Sequence, residues 1–127
     1  MQKNKWSLLG VLALVVGLVG FVQAEKLTLY FEAGKSGLSD AYKASALKGL
    51  KASKGTITVS GHAWKEGTKA GNQMLSEHRA SNVRNYLIEA GINRKRIKVV
   101  SYGDKKPATK DAKKKDQNQR VEIVVIK

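Results

Sequence analysis

GHAWKEGTKAGNQMLSEHR, residues 61 to 79, decides how the chain is read. It follows an alternating apolar segment, crosses a Gly-rich loop to Gly71 and runs into an amphipathic stretch. Ala80, Val83, Leu87 and Ala90 then recur at three- and four-residue steps, so a helix lays that face on a sheet. Asn72 is the natural N-cap of that helix. Gly91-Ile92 fits a left-handed C-cap with a hydrophobic contact behind it. A loop between a strand and a helix start is where binding residues collect. The helix start adds unpaired N–H groups and partial positive charge, which suit a carboxylate.

Upstream, Leu27, Leu29 and Phe31 alternate with Thr28 and Tyr30, the period of a strand with one buried face. Gly34 to Gly37 is a turn-rich break. Ser39 and Asp40 offer N-cap oxygens to a helix through about Ser53, with Tyr42, Ala46, Leu47 and Leu50 as its apolar stripe. Gly55 closes it, and Ile57 and Val59 mark a second strand. Downstream, Ile97 and Val99 mark a third strand, and Val121, Ile123 and Val125 a fourth. Tyr102 to Gln119 is a long polar loop with Pro107 and a Lys-rich run. Strand, helix, strand, helix, strand, loop, strand predicts an α/β sandwich: a mixed four-stranded sheet with the helices packed on one face.

Residues 1–24 read separately. Lys3 and Lys5 precede an uncharged run from Trp6 to Val22, and Val22-Gln23-Ala24 puts small residues at the −3 and −1 positions. That is a secretory signal peptide cut after Ala24, leaving one exported domain over 25–127. An uncleaved membrane anchor is the competing reading, since the apolar run is near the short end for a span. In that case the domain sits against the bilayer with almost no linker. Either way the chain is exported, which argues against a nucleic-acid role.

Lys and Arg total 24 against 10 acidic residues, a formal charge of +14, of which +12 lies beyond residue 24. Such charge favours anionic partners and says nothing about fold. The absence of Cys excludes disulfides, thiol nucleophiles, Cys-based metal sites and a lipid-modified N-terminal Cys. Ser76, Glu77 and His78 are neighbours on a helix, about 100 degrees apart, and cannot form a relay. No catalytic set, metal site or cofactor motif is expected.

Gly61-His62, Gly67, Asn72, Leu75-Ser76, Arg79-Ala80, Val83, Gly91-Ile92, Arg96-Ile97, Ser101-Tyr102-Gly103, Lys106-Pro107-Ala108 and Asn118 to Ile123 form an ordered set. With that set, the stretch from about Leu27 to Ile126 resembles the OmpA-like, peptidoglycan-associated domain family. The resemblance implies a non-catalytic envelope module that grips the diaminopimelate of a peptidoglycan stem peptide. In that family an Asp ending a GHTD-type motif takes the ligand ammonium. An Arg fifteen positions later takes the carboxylate, which suits a planar guanidinium. Here the Arg is Arg79, but Trp64 stands at the Asp position and the motif reads GHAW. Losing that carboxylate removes a charge-assisted hydrogen bond of about 1.5–3 kcal/mol, or roughly one to two orders of magnitude in affinity.

Three outcomes stay open for the altered motif: Glu66 swings in, Trp64 stacks on a glycan ring or an ammonium, or diaminopimelate recognition is gone. The expected ligand-contacting set is Arg79, Arg120, Asn72, His62, Trp64, Glu66, Leu75 and Ser76. Arg79 is one position off the apolar stripe and free to point at the loop. Five of the eight have a blander reading: Arg79 is a solvated helix arginine, Arg120 braces the sheet, Asn72 caps its helix, His62 is a hydrogen-bonded structural histidine, and Trp64 is a partly buried loop anchor. The Lys cluster at 105–115 is a solvated loop or draws an anionic polymer. The competing function is a protein–protein assembly component of the envelope, with an exposed Trp64 as its anchor. The expected location is the periplasm or cell envelope of a Gram-negative bacterium, membrane-attached if residues 1–24 are retained.

Overall fold

The computed structural model of the chain describes residues 11–14 and 24–126. The elements are β1 (Val11–Leu14), β2 (Ala24–Tyr30), α1 (Asp40–Lys51), β3 (Thr56–Gly61), α2 (Lys69–Glu89), β4 (Ile97–Ser101) and β5 (Arg120–Ile126). Short 3-10 turns cover Arg94–Arg96 and Ala112–Asn118. The sheet order is β1-β2-β5-β3-β4. The four expected strands form a mixed sheet, antiparallel at β2/β5 and β5/β3 and parallel at β3/β4. The short β1 adds antiparallel to the outer edge of β2, pairing Leu14 with Ala24. The signal-peptide or anchor reading otherwise lies outside the described residues. Ala24, its expected cleavage point, opens β2 and pairs with Ile126.

Parity decides which side of the sheet is covered. Leu27, Leu29, Ile57, Val59, Val121, Ile123 and Val125 share one face and are buried under Ala46 and Leu50 of α1 and Ala80, Val83 and Leu87 of α2. Each fully buried Val, Leu or Ile contributes about 1.5–3 kcal/mol relative to exposure. The opposite face, with Lys26, Thr28, Thr58, Ser60, Glu122 and Val124, is only half-buried, and among the described residues neither α1 nor α2 covers it.

The helix ends follow local chemistry, with one correction. Ser39 caps α1 as expected, its hydroxyl accepting from the Tyr42 amide at 3.3 Å. Helix α2, however, starts three residues before Asn72. Thr68 is its N-cap, accepting from the Gly71 amide at 2.9 Å, and a hydroxyl caps as well as an amide oxygen. At the other end Gly91 takes φ +106°, the Ile92 amide donates to Leu87 and the Gly91 amide donates to Ile88. That pair of bonds is a Schellman motif.

Strand ends define two poles. Tyr30, Gly61, Ser101 and Arg120 meet at one, where the Phe31 amide donates to the Gln119 carbonyl and the Tyr102 amide to the Gly61 carbonyl. Ala24, Thr56, Ile97 and Ile126 meet at the other. At the first pole β3 runs hard against α2. A Cβ on Gly61 would overlap the Ser76 carbonyl oxygen and press on Ala80 Cβ at 3.1 Å. Backbone cannot move aside as a side-chain tip can. Gly61→Ala is therefore expected to lower unfolding free energy by about 2 kcal/mol or more, read as a shifted urea midpoint, whereas Gly37→Ala, with open space around it, leaves the midpoint nearly unchanged.

Candidate functional site

Arg79 organises the first pole. The α2 face that carries Ala80, Val83 and Leu87 also carries Arg79 inward, and the residue is 0% exposed. Its Nε donates to the Lys35 carbonyl at 2.7 Å and its NH2 to the Glu32 carbonyl at 3.0 Å. Its NH1 donates to the His62 carbonyl at 2.9 Å and to Gln119 Oε1 at 2.6 Å. The guanidinium also lies 5.2 Å from the centre of the Phe31 ring. Burial pulls its pKa down to about 10, so it is still a cation at neutral pH. Arg79 thus reaches loop backbone, as expected, but as a closed structural contact in place of a solvent-facing donor. The fork geometry of a guanidinium suits acceptors arriving from three loops at once.

The loop that Arg79 holds borders a cleft of about 900 Å³. Tyr30, Phe31 and Tyr42 supply aromatic walls, and Glu32, Lys35 and Asp116 supply charges of both signs. None of the eight residues expected from the sequence lines it. The signal that could have found it was present: a Gly-rich, aromatic and charged loop between strand and helix over residues 30–42, of the same kind as the one at 61–71.

The other expected residues divide between two places. On the α2 side, buried Asn72 donates from Nδ2 to Asp104 at 3.0 Å, and Lys69 lies 3.5 Å from the same carboxylate. The Asn72 hydrogen bond, with help from Lys69 and against burial, holds Asp104 below the usual carboxylate range. Ser76 is fully buried, its hydroxyl donating to the Gln73 carbonyl at 2.8 Å and accepting from the Gly103 amide at 2.9 Å. Leu75 is half-buried. Trp64 is only 8% exposed, with Lys65 Nζ 5.5 Å from its ring. It is a loop anchor, not a platform open to a glycan or a partner. Glu66 points outward and pairs with Lys115 at 3.4 Å. A carboxylate does stand beside the GHAW loop, but it is Asp104, from another loop.

Arg120 and the His62 ring lie on the open face of the sheet, away from Arg79. Parity requires it, because Val121 faces the core. Arg120 Nε donates to Glu122 at 2.6 Å and its NH2 to the Lys106 carbonyl at 3.2 Å, so it braces the sheet. His62, 3% exposed, stacks on Tyr102 with ring centres 5.3 Å apart. The expected hydrogen-bonded histidine is not found. Neither ring nitrogen makes a hydrogen bond of ordinary geometry, although the Lys106 backbone is close enough to favour the charged form slightly. Burial first, then the Arg120 charge, pushes the imidazole pKa down to about 4 against the opposing pull of Glu122. For Glu122, burial acts upward, but the Arg120 hydrogen bond and the Arg120 and Lys26 charges together leave its pKa lowered.

The OmpA family model matches residues 30–120, which takes in both Gly-rich loops, Arg79 and the whole first pole. The chain belongs to the OmpA family. A Pseudomonas putida protein named peptidoglycan-associated lipoprotein is 35% identical over 101 residues, covering 76% of this chain and 61% of its relative. The chain therefore spans about three-fifths of that relative's length. Among solved structures, the OmpA-like domain of FopA1 from Francisella tularensis matches with a TM-score of 0.70 at 27% identity, covering 86% of this chain and 76% of that one. The peptidoglycan-associated lipoprotein from Burkholderia pseudomallei matches with a TM-score of 0.66 at 27% identity, covering 79% and 89%.

Two outcomes follow for this OmpA-family domain. Replacing Arg79 by Ala strands the Glu32, Lys35 and His62 carbonyls and opens a cavity beside Phe31. Unfolding free energy should fall by at least about 3 kcal/mol, measured by urea denaturation. His62 is held neutral in the fold and titrates near 6.5 when unfolded. Its stabilisation is complete above about pH 6.5 and is lost as pH falls toward 4, on the order of 2–3 kcal/mol in all. Glu122, whose pKa is lowered in the fold, adds its own loss only once pH falls through the ordinary carboxylate range. Thermal melts between pH 7 and 4.5 should show the decline in the native chain and a flatter profile in His62→Gln.

Proposed function

We propose that this chain is a non-catalytic module of the bacterial cell envelope that docks on peptidoglycan through its stem peptide. The observation that carries the reading is the cleft beside Arg79, with aromatic walls and charges of both signs. A diaminopimelate side chain ends in an ammonium and a carboxylate on one carbon. Glu32 or Asp116 suits the ammonium and Lys35 suits the carboxylate, each as a charge-assisted hydrogen bond. The aromatic rings cover the methylene stem between the ligand's two ends. Arg79 acts by fixing the loop that carries Glu32 and Lys35, and by adding positive potential behind it. In this reading the acid missing from the GHAW motif is supplied by Glu32 or Asp116, from loops outside that motif.

Family membership and the 35% identity to a protein named for peptidoglycan association support the same reading. An envelope location, reached by export and with residues 1–24 removed or kept as an anchor, belongs to it. The competing assembly role rested on an exposed Trp64, and burial of that ring takes away its anchor. A protein partner within the envelope remains compatible with a wall-bound module.

Co-sedimentation with purified diaminopimelate-type sacculi tests the reading. Glu32→Gln and Asp116→Asn should together weaken pelleting about tenfold or more, and free meso-diaminopimelate should compete. Lys110→Gln, on an exposed loop outside the cleft lining, should leave specific binding intact. Pelleting that ignores the cleft variants and vanishes at moderate salt would instead mean nonspecific attraction to an anionic polymer.

A further inference from the structure

The pole opposite the cleft carries a different surface. Helix α1 ends there with Lys48 and Lys51, followed by Lys54. The 3-10 turn Arg94–Arg96 lies alongside, joined to it by Arg96. Its Nε donates to the Gly55 carbonyl and its NH2 to the Ser53 hydroxyl, both at 3.0 Å. The two basic runs are thus one patch, held at fixed spacing by a side chain that is itself half-buried. Lys48, Lys51, Lys54, Arg94 and Lys95 are all exposed. Among the described residues none of these five has an acid within ion-pairing distance. Glu25 at the start of β2 and Glu89 at the end of α2 are the acids placed at this pole. The cleft pole differs: its lysines are interleaved with Glu32, Glu66, Asp104, Asp111 and Asp116, and two of those acids are already paired.

A second observation says what covers the basic pole. Strand β2 begins there at Ala24, and β1 ends there at Leu14, opposite Ala24. The uncharged stretch of residues 15–23, VVGLVGFVQ, therefore joins the domain at the same pole as the basic patch. Apolar chain and clustered Lys/Arg at one end of a domain are the two signals that together hold a protein on an anionic bilayer, where either alone is marginal. We propose that this pole docks on an anionic phospholipid surface, turning the cleft pole away from the membrane. The orientation follows from geometry, since the strands run from one pole to the other. The attraction acts whether or not the apolar stretch is retained, and stretch plus patch bind more tightly than the patch alone. It does not depend on what the cleft binds.

Flotation of the full chain with neutral phosphatidylcholine vesicles, and with vesicles containing about 30% phosphatidylglycerol, tests the proposal. The apolar stretch acts on both vesicle types, so their ratio reports the patch. The native chain should favour the anionic vesicles by about tenfold or more at low salt. Lys51→Glu/Arg94→Glu/Lys95→Glu should bring that preference close to one. Lys110→Glu/Lys113→Glu/Lys114→Glu, with the same change in net charge at the cleft pole, should keep most of it. Equal loss in both triple variants, or loss in neither, overturns the proposal. Circular dichroism and thermal melts establish that both variants are folded. Sacculus binding by the first triple variant should persist, which separates failure here from failure of the wall-binding reading.

Discussion

A cation buried among carbonyls is the constraint on which the cleft pole depends. Arg79 has no exposed surface, and its guanidinium meets oxygens from the β2–α1 loop, the loop after β3 and Gln119 before β5. Burying a charge is costly unless it is fully hydrogen-bonded. The arrangement therefore tolerates little displacement of any loop. Loops ordinarily belong to the low-stability end of a structure; here three of them share one partner on the longest helix. The cleft has a defined wall because its backbone is tied to the core through that partner.

The sheet separates an apolar core from a polar cluster by its pleat. One face is filled by α1 and α2, and the residues one step out of phase look the other way. His62, Arg120 and Glu122 fall out of phase and form their own cluster with Tyr102 and Lys106. A neutral imidazole is favoured there because a second cation beside Arg120 would be poorly solvated. The cluster ties the long 102–119 loop to the sheet without touching the cleft. Net charge follows a comparable division, mixed in sign at the cleft pole and almost wholly positive at the other.

Much of the fold was legible in the chain. Period-two alternation at Leu27–Phe31, Ile57–Val59 and Val121–Val125 located strands and their buried side, and three- and four-residue recurrence located both helices. Ser39 and Gly91 acted as their local chemistry requires. The N-cap of α2 was misplaced because Thr68 and Asn72 are both competent caps, and choosing between them depends on where the chain turns. Parity alone places Arg120 on the open face, since Val121 belongs to the core, and favours its sheet-bracing reading. The family match carried Arg79 into the site and could not say which atoms its donors would meet.

Periodicity and capping are interactions within a few residues, so the sequence by itself determined the four main strands and two helices, their order, the covered face of the sheet and the family. Whether a side chain is buried, and what it bonds, depends on segments brought from 30 to 50 positions away, as in Asn72 with Asp104 or Arg79 with Glu32. Only the tertiary structure decided that Trp64 is covered, that Arg79 is closed off by carbonyls and that the cleft belongs to residues 30–42 and 116–117. The same holds for the union of two separate basic runs into one patch through Arg96. These are consequences of which loops share a pole, and a pole is defined by strand pairing, not by neighbours in the chain.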